Sequence, residues 1–153
     1  MARMSDFHPE LVTFLRDYEY ADIEINNAWQ TGPSLRNRRV ALISSAGLRR
    51  RSDRAFTATS GDYRILPVEK RNEIVQDHIS TWHDRTGFSQ DLNVILPLEC
   101  LTQMAEAGEI GSVAQYHYSF MGAVSPTKME SAARKLATLL HGDGVDAVVF
   151  CPV

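Results

Sequence analysis

The sequence predicts an α/β fold: a three-layer sandwich on a mostly parallel sheet, incomplete at its C-terminus. Three observations carry this. The final stretch, Gly144–Val153, is a short apolar run with β-branched residues, entered through Gly142 and Gly144, as a buried parallel strand would be. In the second half of the chain, such runs alternate with apolar stripes at helical spacing, the pattern of a sheet with crossover helices. The last run is apolar on both faces, which predicts a central strand whose tip opens into a concave site. A strand of that kind is normally followed by a covering helix, so a continuation past Val153 is expected.

In chain order, residues 8–20 are predicted helical, with Leu11, Phe14, Leu15 and Tyr18 at helical spacing and Pro9 in the first turn. Residues 26–37 carry Asn, Gly and Pro and read as a linker. This divides the chain into an N-terminal helix and linker, 1–37, and one α/β domain, 38–153. Arg39–Gly47 is the first strand, and it ends in small residues. Such an ending suits either a backbone that a ligand approaches or a plain strand-to-loop turn. Leu48–Arg54 is arginine-rich and reads as a solvated loop. Gly61–Pro67 is a turn and a short strand, and residues 68–90 are polar and irregular, with a helical turn near Val75.

Leu92–Pro97 is predicted as a further strand, followed by a helix from Leu98 to Ala107 that Gly108 stops. Val113–Tyr118 opens an aromatic core strand that runs on to Gly122. Ser125 is placed as an N-cap with Pro126 at the first helical position, and the helix runs to about Leu140. Met129, Ala132, Ala133, Leu136, Leu139 and Leu140 form its buried stripe, read as core. Cys100 and Cys151 are both placed in apolar surroundings as small hydrophobes.

The totals exclude several classes. A chain of 153 residues, 44% hydrophobic and 23% charged, is an ordinary single domain. A net charge of −3 gives no pull toward nucleic acid or an acidic membrane, and no binding motif accompanies the arginines. No apolar run approaches the roughly 18 residues of a membrane span. Met1–Asp6 lacks the apolar core of a signal peptide, and two cysteines make no disulfide framework, so the cytoplasm is expected. His78, His83 and Asp84 raise the question of a metal, but a spacing of five does not put both rings on one helical face, and no metal is expected. Gly142-Asp143-Gly144 precedes a strand, where a dinucleotide fingerprint follows one.

Several blocks in colinear order are similar to one family. They are Val40–Gly47; Gly61-Asp62-Tyr63-Arg64-Ile65-Leu66-Pro67; Asp91–Leu98, with Leu96 where Phe is usual; Ala107-Gly108-Glu109-Ile110-Gly111 with His117–Gly122; and Gly144–Val149. Together they resemble the selenoprotein B family: the substrate-specific subunits of glycine, sarcosine and betaine reductases and the selenoprotein subunit of D-proline reductase. The resemblance covers residues 38–153. In that family the last strand leads into a selenocysteine, or a cysteine in some members, with a second cysteine about three residues on. Val153 corresponds to the residue just before that position. Either the chain is cut at an in-frame UGA, the selenocysteine codon, or it is a short homologue without the redox pair.

The resemblance implies reductive cleavage of a C–N bond in a small amine of the D-proline, glycine, sarcosine or betaine class. It implies an oligomeric complex with a partner subunit bearing a pyruvoyl-type carbonyl, and a dithiol or thioredoxin-like reductant. This chain would carry no cofactor of its own and would lack its redox nucleophile. A soft anionic nucleophile gains from a strand tip that leads into a helix N-terminus. The supporting candidates are Ser44, Ser45 and Gly47 at one tip, Asn93 in a neighbouring strand, and His117 and Ser119 near another. Asp62 and Arg64 are either loop supports or carboxylate binders, and an internal ion pair suits them equally. His117 is equally open to a purely structural role. The alternative is a non-catalytic assembly module or a small-molecule-binding α/β domain.

Overall fold

The structure is a computed structural model and describes residues 4–19, 30–80 and 85–153. Its organising strand is β1 (Arg39–Ser44), whose Val-Ala-Leu-Ile run is buried throughout. A strand buried on both faces needs partners on both edges, and β1 has them. Along one edge lies β7 (Ala147–Cys151), parallel, with Val40 opposite Ala147 and Ser44 opposite Cys151. The other edge is shared by two short parallel strands. β5 (Ser112–Val113) pairs with Arg39 and Val40, and β6 (Tyr116–Phe120) pairs with Ile43 and Ser44. β3 (Tyr63–Pro67) closes that side antiparallel to β6. The sheet is therefore mostly parallel, as the alternation of runs and stripes predicts.

Strand parity divides the core. Val40, Leu42 and Leu66 pack with Leu98 and Leu101 of α3 (Leu98–Glu106). Ile43, Tyr118 and Phe120 pack with Leu136 of α4 (Pro126–Gly142). Tyr63 meets the rings of Tyr118 and Phe120 edge-on, at 5.7 and 5.8 Å between centroids. Both helices stop near their predicted ends, with Gly108 taking a left-handed φ of 69° past α3. At the other end of the chain, α1 (Pro9–Asp17) buries no residue. Residues 26–29 of the predicted linker lie outside the described residues, and Leu35–Asn37 forms a 3-10 turn.

Several local readings are corrected. Leu92–Val94 is a 3-10 turn, not a strand. The Asp91 carboxylate accepts the Asn93 N–H at 2.9 Å and turns the chain, leaving Ile95 and Leu96 buried ahead of α3. A run of so few apolar residues cannot be assigned by periodicity. Leu48–Arg50 is strand β2, paired antiparallel with β4 (Ile74–Gln76), so Val75 lies in a strand and not in a helical turn. Its arginines are consumed locally: Arg49 pairs with Asp77 at 2.8 Å and Arg50 with Asp53 at 2.6 Å. Burial alone would push both carboxyls up, yet the arginine hydrogen bonds and charges hold them below the usual aspartate range.

Cys100 is exposed on α3 and not in the core. Among the described residues β7 pairs only with β1, so the strand predicted to be central lies at an edge. Its Val149 and Phe150 are 43% and 72% exposed. The α4 stripe is likewise only half covered. Leu136 is buried and Met129, Ala132 and Leu140 are partly so, but Ala133 and Leu139 are exposed. Nothing among the described residues lies over that part of the helix.

Candidate active-site groove at the strand tips

The carboxyl ends of β1, β6 and β7 converge, as they must in a parallel sheet, and a groove opens there. It has a volume of about 410 Å³ and runs between the strand tips and α4. Its floor is Ile43, Ser44, Ser45 and Phe120. One wall is Val148, Phe150, Cys151 and Pro152, and the other is the α4 stripe from Met129 to Leu140. Ala133 and Ala137, four apart on one helix face, present only methyl groups to this wall and so leave its space unfilled. Among the described residues no charged side chain lines the groove.

The backbone at the tips is closely packed. Gly47 has φ +64° and gives its N–H to the Phe120 carbonyl at 2.9 Å. A Cβ there would stand 2.8 Å from His78 Cα. The Ser44 hydroxyl accepts the Ala46 N–H at 3.2 Å, and the buried Ser119 hydroxyl accepts the Leu48 N–H at 2.9 Å. Ser44 faces Ser119 on one side of β1 and Cys151 on the other. Burial pushes the Cys151 thiol up, opposite to what an activated nucleophile needs.

His117 lies deeper. Between β5 and β6 the ladder on β1 is interrupted, and the His117 ring fills the gap, its Nδ1 accepting the Leu42 N–H at 2.9 Å. Nε2 therefore carries the proton, and among the described residues it has no partner. Burial lowers the imidazole from 6.5 to about 4, with Asp143 opposing. The ring is neutral and helps hold the sheet.

The structure thus brings Ser44, Ser45, Gly47 and Ser119 together at the tips, with His117 beneath them. Arg64, on β3, is paired opposite Ser119 of β6, but its guanidinium is engaged. It pairs with Asp62 at 2.7 Å, donates to the Arg54 carbonyl and stacks 4.3 Å above the Phe56 ring. Asn93 is elsewhere, at a polar cavity of about 650 Å³ beside α2 (Thr86–Gln90). There its Oδ1 accepts the Glu99 N–H at 3.0 Å and its amide reaches Asp91, so it caps the start of α3. Asn93→Ala is expected to cost about 1 kcal/mol in urea unfolding, the usual worth of a cap, and to leave the groove unchanged. Gly122 is a tip residue that the candidate set omits, although a glycine directly after an aromatic strand was the signal for it.

Among the described residues there is no cluster of three or more metal-ligating side chains, and His83 and Asp84 lie outside those residues. No helix among them is long and apolar enough to cross a membrane.

Comparison with known proteins bears on the same stretch. The chain is 28% identical over 121 residues to D-proline reductase subunit gamma of Acetoanaerobium sticklandii, covering 76% of this chain and 49% of that protein. It is 27% identical over 119 residues to glycine reductase complex component B subunit gamma of Carboxydothermus hydrogenoformans, 72% of this chain and 27% of that protein. It is 30% identical over 118 residues to betaine reductase complex component B subunit beta of Peptoclostridium acidaminophilum, again 72% and 27%. The chain therefore spans about half the length of the first relative and about a quarter of the other two. No solved structure matches it. The match to the family profile runs from residue 10 to residue 152, through all three strand tips, and the chain belongs to the glycine/sarcosine/betaine reductase selenoprotein B family.

Proposed function

We propose that the chain is part of a subunit of a selenocysteine- or thiol-dependent reductase, acting on a small amine of the D-proline, glycine, sarcosine or betaine class. The observation that carries this is the family match running through β7 to residue 152, where the strand exits at the groove. The reaction is a two-electron reduction. The C–N bond breaks, the amine leaves with a proton, the carbon ends bearing hydrogen, and the dithiol donor ends as a disulfide. The nucleophile follows Val153. Cys151 is a poor substitute, because it is held in the ladder and its thiol is pushed up by burial.

The protein's own residues supply position and an apolar lining here. With Phe150 72% exposed the groove is open to solvent, and a covering element would be needed to exclude water from the tip. Among the described residues the groove has no charged side chain to meet a substrate carboxylate, and Arg64 is committed to Asp62. Recognition of a carboxylate, and the pyruvoyl-type carbonyl that engages a primary or secondary amine but not the quaternary nitrogen of betaine, come from partner subunits of a cytoplasmic complex.

The purified 153-residue chain, given dithiol and each of the four amines, is expected to show no turnover. Steady turnover abolished by Cys151→Ser would move the nucleophile to Cys151. In the full-length protein a selenocysteine or cysteine is expected on the segment that β7 leads into, and its replacement by serine is expected to abolish turnover of the complete reductase. Unchanged turnover would overturn the reading and favour a non-catalytic assembly module.

A further inference from the structure

β7 leaves the sheet through two hydrogen bonds to one residue. The Ser45 N–H donates to the Cys151 carbonyl at 3.1 Å, continuing the ladder in which Ser44 faces Cys151. The Ser45 hydroxyl then accepts the Val153 N–H at 2.9 Å. This second bond is not a ladder bond, since a side-chain oxygen stands where a regular strand would offer a carbonyl. Between the two bonds lies Pro152, whose ring fixes φ and which has no N–H to give. The path of the chain past Cys151 is therefore set by a stiff residue and one serine rotamer.

Ser45 is in turn held from the opposite side. Gly122, at φ +85°, packs so closely that a Cβ on it would stand 2.3 Å from the Ser45 carbonyl oxygen and 3.0 Å from Ser45 Cβ. The exit of β6 thus braces the residue that directs the exit of β7. The Ser45 hydroxyl also has no acceptor for its own proton among the described residues, and it lines the groove.

We propose that Ser45 is a positioning residue. Its hydroxyl, braced by Gly122, aims the chain leaving β7 so that the residue after Val153 stands at the tips of β1 and β6. Its proton is free to turn toward an anion formed there. The inference rests on the reading that the nucleophile follows Val153, and it gives Ser45 a role exerted through the backbone in place of contact with substrate.

Two measurements separate this inference from the reading beneath it. In the 153-residue chain, amide hydrogen exchange at Val153 is expected to be about fivefold or more slower than in Ser45→Ala, and to stay slow in Ser45→Thr. Equal exchange in wild type and Ser45→Ala overturns the clamp, whatever the nucleophile is. In the complete reductase with its partner subunits, Ser45→Ala is expected to lower kcat on the order of 10- to 100-fold with KM little changed, and Ser45→Thr to restore it. An unchanged kcat overturns the positioning role, as does a loss that tracks thermal stability and is not rescued by threonine. A complete wild-type protein with no reductase activity sinks the reductase reading and leaves the exchange result to decide the clamp.

Discussion

Gly122→Ala is expected to lower stability by about 3 kcal/mol, among the larger effects available to a single surface residue. Two costs add. At φ +85° any residue with a Cβ is strained, roughly 1–2 kcal/mol. The new methyl would also sit 2.3 Å from the Ser45 carbonyl oxygen, which is backbone and cannot swing aside. Relief requires the β1 tip or the loop before α4 to move, so the Ser45 and Val153 amide signals are expected to shift as well. Gly108→Ala is the control. It has a similar φ of +69° but nothing within 4 Å of a new Cβ, so it should show only the conformational cost. Urea unfolding of both variants checks this. Equal losses would mean that the contact with Ser45 costs nothing.

His117→Ala is expected to cost about 3–4 kcal/mol, because it opens a cavity in a buried site and leaves the Leu42 N–H without an acceptor. The same ring makes the fold acid-sensitive. Its folded pKa of about 4 lies below the ordinary 6.5, since burial disfavours the charged form. On lowering the pH, the unfolded chain takes up the proton first. The contribution is therefore complete above pH 6.5, falls as the pH drops, and is lost as it passes about 4. The gap corresponds to about 3 kcal/mol. Asp53 and Asp77, whose carboxyls are lowered from 3.8, act mainly below this window. His117→Asn keeps an acceptor near the Leu42 N–H and does not titrate. It should lose less stability than alanine and flatten the stability profile between pH 4 and 6.5. A wild-type slope retained in His117→Asn would assign the acid sensitivity elsewhere.

Each of these effects depends on a neighbour distant in sequence, and that marks how far the sequence could be read. The α/β class, β1, α3, α4 and β7 were legible because each is long enough for its own period to show. Residues 40–43 are continuously apolar, and a stripe at helical spacing runs from Met129 to Leu140 within the seventeen residues of α4. The family was legible from blocks whose order is fixed along the chain. Leu92–Pro97 was misread because a few apolar residues suit a strand or a turn equally, and the deciding group was the Asp91 carboxylate. Leu48–Arg50 was misread because its charges look solvated until Asp53 and Asp77 are brought alongside.

The residues themselves determined that β1, α3, α4 and β7 form where they do, and that small residues end β1. Only the tertiary structure decided which strand is an edge, since the apolar pattern of β7 does not depend on whether a neighbour lies beyond it. It alone showed that Ala133 and Ala137 line a groove at the strand tips and that His117 stands in for a ladder carbonyl. It also separated Ser45 from Arg64, two candidates alike in the sequence reading: one holds the exit of β7 and the other is spent on Asp62. Hydrogen bonds and close approaches of this kind join residues up to 108 positions apart. Local propensity carries no information about such pairs, because which groups meet is settled by how the strands stack.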